Sequence, residues 1–169
     1  MKVSVITVSY NSIDTIENTI NSVKSQRYSN LEYLVVDGAS TDGTIDLLNQ
    51  YSDNIDKLIV EKDSGIYDAM NKGIDTADGE IIGILNSDDI YTDDKVVGEI
   101  IDTFRSAKCD ACYADLDYVD VNDTAKIIRR WRAGEYKDGD FYNGWMPPHP
   151  TVFIKKEVYE KYGKFNLSL

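Results

Sequence analysis

The chain reads as an α/β protein, a doubly wound mixed sheet flanked by helices. Three observations predict this. Over residues 1–105, apolar runs of strand length alternate with stretches whose apolar residues fall at helical spacing, in the order βαβαβαβα. The first run, Val3 to Val8, is apolar on both faces apart from small hydroxyls, as in a strand covered on both sides of a parallel sheet. The runs also stop on polar, often acidic residues, and the carboxyl edge of such sheets is where ligands bind.

In chain order, strand Val3 to Val8 ends on Ser9-Tyr10-Asn11-Ser12, and Asp14 with Glu17 forms a capping-box-like helix start. Ile13, Ile16, Ile20 and Val23 give that helix one apolar stripe, to about Gln26. Strand Leu31 to Val36 ends on Asp37, and the turn formers Gly38 to Thr44 open a helix carrying Ile45, Leu48 and Tyr51. A short strand, Lys57 to Val60, precedes Glu61-Lys62-Asp63-Ser64-Gly65. Ile66, Ala69, Met70, Gly73 and Ile74 then mark a helix that carries Asp68, Asn71 and Lys72 on or near its non-core side. Strand Glu80 to Leu85 stops on Asn86-Ser87-Asp88-Asp89, and Val96, Val97, Ile100, Ile101 and Phe104 place a helix after it.

From Asp110 the texture changes. Ala111 to Val121 and Lys126 to Trp131 read as a β pair around Asn122-Asp123, and Ala133 to Gly144 as a mobile or irregular loop. Met146-Pro147-Pro148-His149-Pro150 suits no regular element; strand Thr151 to Ile154 and helix Lys156 to Lys161 follow. The closing residues, Phe165 to Leu169, read as a chain cut within its fold. Residues 1–169 are expected to form a single domain, with a ligand-binding half at 1–105 and a partial second half at 106–169.

A net charge of −12 makes nucleic acid a poor partner. It also makes an anionic substrate awkward unless a metal or backbone dipoles neutralise it. No stretch approaches the ~18 apolar residues of a membrane span, and the first residues lack the apolar core of a signal peptide. Cytoplasmic residence is the expectation, compatible with peripheral attachment at the inner face of a membrane. Cys109 and Cys112 have CxxC spacing, but His149 is the sole histidine, and within a strand the two thiols point to opposite faces. They are read as structural cysteines.

The strand ends carry the chemistry. Asp88 and Asp89 suit a hard divalent cation, which can bridge two phosphate oxygens and offset charge on a departing diphosphate. The bland alternative is an Asp-rich turn capping a helix. Asp37 could accept from a base edge or a ribose hydroxyl, or only from its own loop. Tyr10 and Asn11 could flank a nucleobase, and Lys72 could reach a phosphate or simply be solvated. Arg129, Arg130 and Arg132 with Trp131 form a basic cluster that reads either as a strand edge protected against aggregation or as an anion contact. His149 sits in a rigid proline frame that fixes its direction, and it is a candidate acceptor-side or diphosphate contact.

Four segments, Val3 to Asn11, Val35 to Thr44, Asp63 to Gly73 and Leu85 to Asp89, resemble in order and spacing the family-two glycosyltransferases of the GT-A fold. Pro148-His149-Pro150-Thr151 looks like the bacterial surface-polysaccharide branch of that family. The resemblance implies transfer of a sugar, with inversion, from a nucleoside-diphosphate sugar to a glycan or lipid-linked acceptor hydroxyl. A UDP-sugar is the expected donor and Mg²⁺ or Mn²⁺ the expected cofactor. Carried over by position, Asp37 would contact the nucleobase with Tyr10 nearby, and Asp63 would lie beside the nucleoside. Asn86-Ser87-Asp88 would stand where the family has its DxD motif, with Asp88 on the metal. Asn86 departs from that motif, as an amide oxygen rather than an anionic ligand. The family's general base is a carboxylate expected beyond Leu169; Asp138 and Asp140 are weaker substitutes. Two other readings compete: a non-catalytic nucleotide-sugar-binding module and a sugar-phosphate nucleotidyltransferase. The second would need a glycine-rich basic loop after the first strand, where Ser9-Tyr10-Asn11-Ser12 stands.

Overall fold

A computed structural model describes residues 1–168. Four parallel strands, β1 (Val3–Ser9), β2 (Leu31–Asp37), β3 (Lys57–Val60) and β4 (Ile81–Ile84), form most of one six-stranded sheet. β5 (Ala111–Cys112) and β8 (Phe153–Lys155) complete it, with β8 antiparallel to both neighbours, in the order β3-β2-β1-β4-β8-β5. β6 (Leu116–Asp120) and β7 (Asp123–Trp131) form a separate two-stranded ribbon.

Alternation of side chains along the strands divides the core into two layers. Val3, Val5, Tyr33 and Val35 face α1 (Ile16–Lys24), α2 (Thr44–Gln50) and α4 (Val96–Ala107), which contribute Ile20, Leu48, Ile101 and Phe104. Ile6, Val8, Leu34 and Val36 face α3 (Ile66–Thr76) through Met70 and Ile74; Tyr159 of α5 (Lys156–Tyr162) packs at its margin. β1, with every residue buried, is the central strand its two-faced apolar pattern predicts. Gly83 in β4 lies under the Phe153 ring of β8, with no room for a methyl group.

The amino edge of the sheet is tied by a buried charge. Glu32, 4% exposed, accepts from Ser4 Oγ, from Lys2 Nζ at 3.0 Å and from the Asp78 amide at 2.8 Å, and pairs with Lys57 Nζ at 3.2 Å. Burial alone would raise its pKa; the surrounding donors outweigh that and lower it to about 2.

Several sequence expectations need correction. The Asp14–Glu17 capping box does not form: α1 begins at Ile16 with Thr15 uncapped by any side chain, and Glu17 accepts the Tyr51 hydroxyl at 2.6 Å instead. The long strand expected over Ala111 to Val121 is broken at residues 113–115, and the ribbon turns at Val121-Asn122, since Asp120 pairs with Asp123. Cys109 lies outside β5, so strand alternation does not orient the two free thiols. Thr151 belongs to a short 3-10 turn, and the last strand starts at Phe153. On α3, Ile66 is exposed, whereas Asn71 is buried and clamps the Phe165 backbone at 2.9 and 3.0 Å.

Candidate functional site

β2 and β3 lie on one side of β1 and β4 on the other, so the chain reverses direction across the sheet between β1 and β4. Loops leaving two such strands splay apart and open a crevice at their carboxyl ends. Two groups of side chains meet there.

The first stands on the ends of β1, β2 and β3. Asp37 is fully buried: its Oδ2 accepts from Ser9 Oγ and Ser40 Oγ, both at 2.7 Å, and its Oδ1 accepts from the Ser40 amide at 2.8 Å. Of the two readings of Asp37, this is the loop-bonding one. Its carboxylate has no free surface and acts here as a pin for the β2–α2 loop. What the pin presents is Gly38, whose missing side chain lets the Tyr10 and Asp63 side chains close in over the backbone. A Cβ there would stand 2.6 Å from Asp63 Oδ2 and 3.1 Å from the Tyr10 ring, so only glycine admits this close packing. Tyr10 is 65% exposed. Asp63 Oδ1 accepts from the Gly65 amide at 2.9 Å. Asn11 adopts a left-handed conformation (φ 51°), which Asn tolerates, and links to the same loop through Ser40 Oγ and the Thr41 amide. Tyr10, Asn11, Asp37 and Asp63 therefore come together, with Gly38 between them.

The second group is the turn after β4. Asn86 Nδ2 donates to Asp89 Oδ2 at 3.0 Å, while Asn86 Oδ1 is buried with no partner. Asp88 is exposed. Asp89 has its carboxyl pKa raised, first by burial and then by the adjacent Asp88 charge. The turn is lashed to the loop after β1: Ser87 Oγ and Ser12 Oγ lie 2.7 Å apart, and Thr19 Oγ1 donates to the carbonyls of Ser87 and Asp89. Ser9, Ser40, Ser12, Thr19 and Ser87 were not singled out from the sequence. Ser9 ends a strand, Ser12, Ser40 and Ser87 follow in loops and Thr19 lies within α1, and their small hydroxyls were the only signal for them.

No group of three or more acidic, His or Cys side chains that could hold a metal occurs among the described residues. The turn offers two carboxylates and one unpartnered amide oxygen. That donor set fits a hard cation that keeps waters and takes its remaining ligands from phosphates, rather than an all-protein cage.

The other candidates separate. His149 opens the 3-10 turn beside β4, with its ring 5.9 Å from that of Phe165. Its Nε2 is buried without a partner, and burial lowers its pKa, keeping the ring neutral at pH 7. Lys72 pairs with Glu61 at 3.0 Å and Asp68 at 3.4 Å, a structural role. Arg132 is held by Asp115 and Asp117, and Arg129 lies over the Tyr118 ring. Asp140 accepts from the Lys137 amide in its own turn.

The profile described as "Glycosyl transferase family 2" matches residues 4–163. A Bacillus subtilis protein described as a teichuronic acid biosynthesis glycosyltransferase, TuaG, is 43% identical over 97 residues, covering 56% of this chain and 38% of its own. A mannosyltransferase from Pyrobaculum calidifontis, PcManGT, solved with GDP-Man and Mn²⁺, superposes with a TM-score of 0.75 at 22% identity, over 99% of this chain and 48% of its own. S. aureus TarS 1–349, solved with UDP-GlcNAc, gives 0.75 at 20% identity, over 95% and 47%. At these identities the two structures establish the shared fold. The chain spans between 38% and 53% of the length of the first curated relatives it matches.

Proposed function

This chain belongs to glycosyl transferase family 2, and from that premise we propose that it holds a nucleoside-diphosphate sugar at the β1/β4 crevice for transfer to an acceptor hydroxyl. The observation that carries the reading is the juxtaposition of Tyr10, Gly38 and Asp63 with an acidic turn whose Asn86 Oδ1 is buried and unpartnered. The exposed Tyr10 ring would offer a planar base a stacking face, and Asp63 Oδ2 would accept from a base or ribose donor. Asp37, by pinning Ser9 and Ser40, would hold the loop that carries Gly38 in position beside the ligand.

Asp88 and Asp89 would hold Mg²⁺ or Mn²⁺ against the diphosphate, with Asn86 Oδ1 accepting from a coordinated water or a ribose hydroxyl. Such an ion would offset the negative charge gathering on the departing diphosphate. Asp88 is the primary ligand because it is exposed and unshared, whereas Asp89 is partly engaged by Asn86. A metal is also what a chain of net charge −12 needs to accept a dianion.

We assign residues 1–105 to the donor and 106–169 to the acceptor side, with His149, neutral and in the turn beside β4, on the acceptor side of the diphosphate. Inversion, a UDP-sugar donor and a glycan or lipid-linked acceptor in surface-polysaccharide synthesis complete the proposal. The similarity to TuaG supports the last point. Two free thiols suit a reducing, cytoplasmic compartment. No helix among the described residues is long and apolar enough to cross a membrane.

Calorimetric titration of UDP and GDP, each with Mn²⁺ and with EDTA, tests the reading. Binding should require the metal, favour one base, and be lost in Asp88→Ala. Equal affinity with and without Mn²⁺ sinks the metal assignment. Metal-dependent nucleotide binding with no sugar transfer or donor hydrolysis in the full-length protein favours a non-catalytic binding module.

A further inference from the structure

α1 carries a row of polar side chains beside its apolar stripe of Ile16, Ile20 and Val23. Thr19 and Ser22, with Gln26 just past the helix end, stand at i, i+3 and i+7, on one side of a helical turn. They meet the loop between β4 and α4 in order along its length. Thr19 Oγ1 donates to the carbonyls of Ser87 at 3.0 Å and of Asp89 at 2.9 Å. Ser22 Oγ accepts from the Tyr91 amide at 3.2 Å. Gln26 Nε2 donates to the Asp93 carbonyl at 2.6 Å, and its Oε1 accepts from the Val97 amide at 3.0 Å. Thr19 and Gln26 are both buried, so water does not compete for their bonds.

A threonine inside a helix ordinarily bonds back to the carbonyl of the preceding turn. Thr19 reaches across to another element instead, and its one O–H is shared by two carbonyls. The Asp89 amide, in turn, donates to the Asn86 carbonyl at 3.1 Å. The peptide groups after Ser87, Asp88 and Asp89 are therefore each held by a hydrogen bond. The φ and ψ angles of Asp88 and Asp89 lie between those three planar groups, so the backbone of both residues is fixed and only their side-chain torsions stay free. Two adjacent carboxylates repel one another, and a turn free to move would separate them.

We propose that Thr19 is a positioning residue for the divalent cation, holding the Ser87–Asp89 backbone so that the Asp88 and Asp89 carboxylates are set before an ion arrives. This rests on the donor reading above, in which those two carboxylates take Mg²⁺ or Mn²⁺. A turn already held orders little on binding, which spares the ion the ordering cost of a flexible one. Groups that orient metal ligands without touching the metal matter for affinity in this way. Gln26 supports the same loop at its far end, where Asp93 and Val97 lie, and leaves the backbone of Asp88 and Asp89 to Thr19.

Mn²⁺ binding to the intact chain in the presence of UDP, read from the EPR signal of the free ion, tests the assignment in Thr19→Val, Thr19→Ser and Gln26→Leu. Hydrogen exchange of the Asp89 and Val97 amides in metal-free samples accompanies it. Thr19→Val should weaken Mn²⁺ binding about tenfold or more and speed exchange at Asp89 but not at Val97. Thr19→Ala, which also removes the hydroxyl, should match it if the valine variant folds poorly. Thr19→Ser keeps the O–H and should restore both readouts. Gln26→Leu should lower the melting temperature and speed exchange at Val97 while binding Mn²⁺ like the parent. The proposal is overturned if loss of the Thr19 hydroxyl leaves Mn²⁺ affinity unchanged, if serine fails to rescue, or if Gln26→Leu weakens Mn²⁺ binding equally. A parent that binds Mn²⁺ beside an unaffected Thr19→Val variant removes only the role of Thr19. A parent that binds no Mn²⁺ removes the metal from the donor reading, and the role of Thr19 with it.

Discussion

Replacing Glu32 by Gln removes the charge on which the amino edge of the sheet converges. The fold lowers this carboxyl from its ordinary 4.5 to about 2, even though burial pulls the other way. Gln mimics the protonated acid, so the loss at pH 7 equals the linkage energy. About 2.5 units at 1.36 kcal/mol each is roughly 3 kcal/mol. The sign follows from a lowered acid: the stabilisation is complete above pH 4.5 and is lost as pH falls through about 2. Urea denaturation of both proteins at pH 7, 4 and 2 reads this directly. The gap should be near 3 kcal/mol at pH 7 and shrink to under roughly 0.5 kcal/mol at pH 2. A gap that is absent at pH 7, or unchanged at pH 2, refutes the idea that the Glu32 charge ties Lys2, Lys57, Ser4 and the Asp78 amide together.

Gly83→Ala should cost about 1–3 kcal/mol by driving a methyl group into the Phe153 ring, and pairing it with Phe153→Leu should recover part of the loss in thermal melts. Asp89→Asn should be more stable than the parent at pH 7, because a raised carboxyl favours the fold when protonated and opposes it as pH rises. The difference should close toward pH 3.8, and Mn²⁺ should raise the melting temperature of the parent more than that of the variant; a less stable variant at pH 7 contradicts this. Ser9→Ala combined with Ser40→Ala strips Asp37 Oδ2 of both its donors. It should cost at least about 2 kcal/mol in urea denaturation and weaken nucleotide binding, although neither serine is assigned a contact with the nucleotide.

The parallel half of the sheet was legible in the sequence because strand and helix periodicities differ and the two-faced apolar strands β1, β2 and β4 are diagnostic. The edge positions of Tyr10, Asn11, Asp37, Asp63 and Asp88 followed from the strand ends. What Asp37 does was half legible: bonding to its own loop, as it does to Ser40 three residues on, was one of its two readings, whereas its bond to Ser9 depends on strand register across 28 residues, which no local pattern encodes. Asn71 was misplaced because helical spacing put it off the apolar stripe, whereas the Phe165 segment folds back over α3 and buries it. The capping box failed because Tyr51, distant in sequence, competes for Glu17. Past Asp110 the apolar periodicity is short and interrupted. There the segment after the ribbon is held by bonds from Trp145 Nε1 to the Ala133 carbonyl and from the Tyr113 hydroxyl to the Gly134 carbonyl, which composition reads only as a loop.

A crystal structure of the chain with UDP and Mn²⁺, with anomalous scattering to locate the metal, tests the donor site most directly. The base should lie against Tyr10 and beside Asp63, and the Mn²⁺ peak should sit within coordination distance of Asp88 and the diphosphate. Nucleotide bound away from the β1/β4 crevice, or a metal that does not touch the Asn86–Asp89 turn, would contradict it.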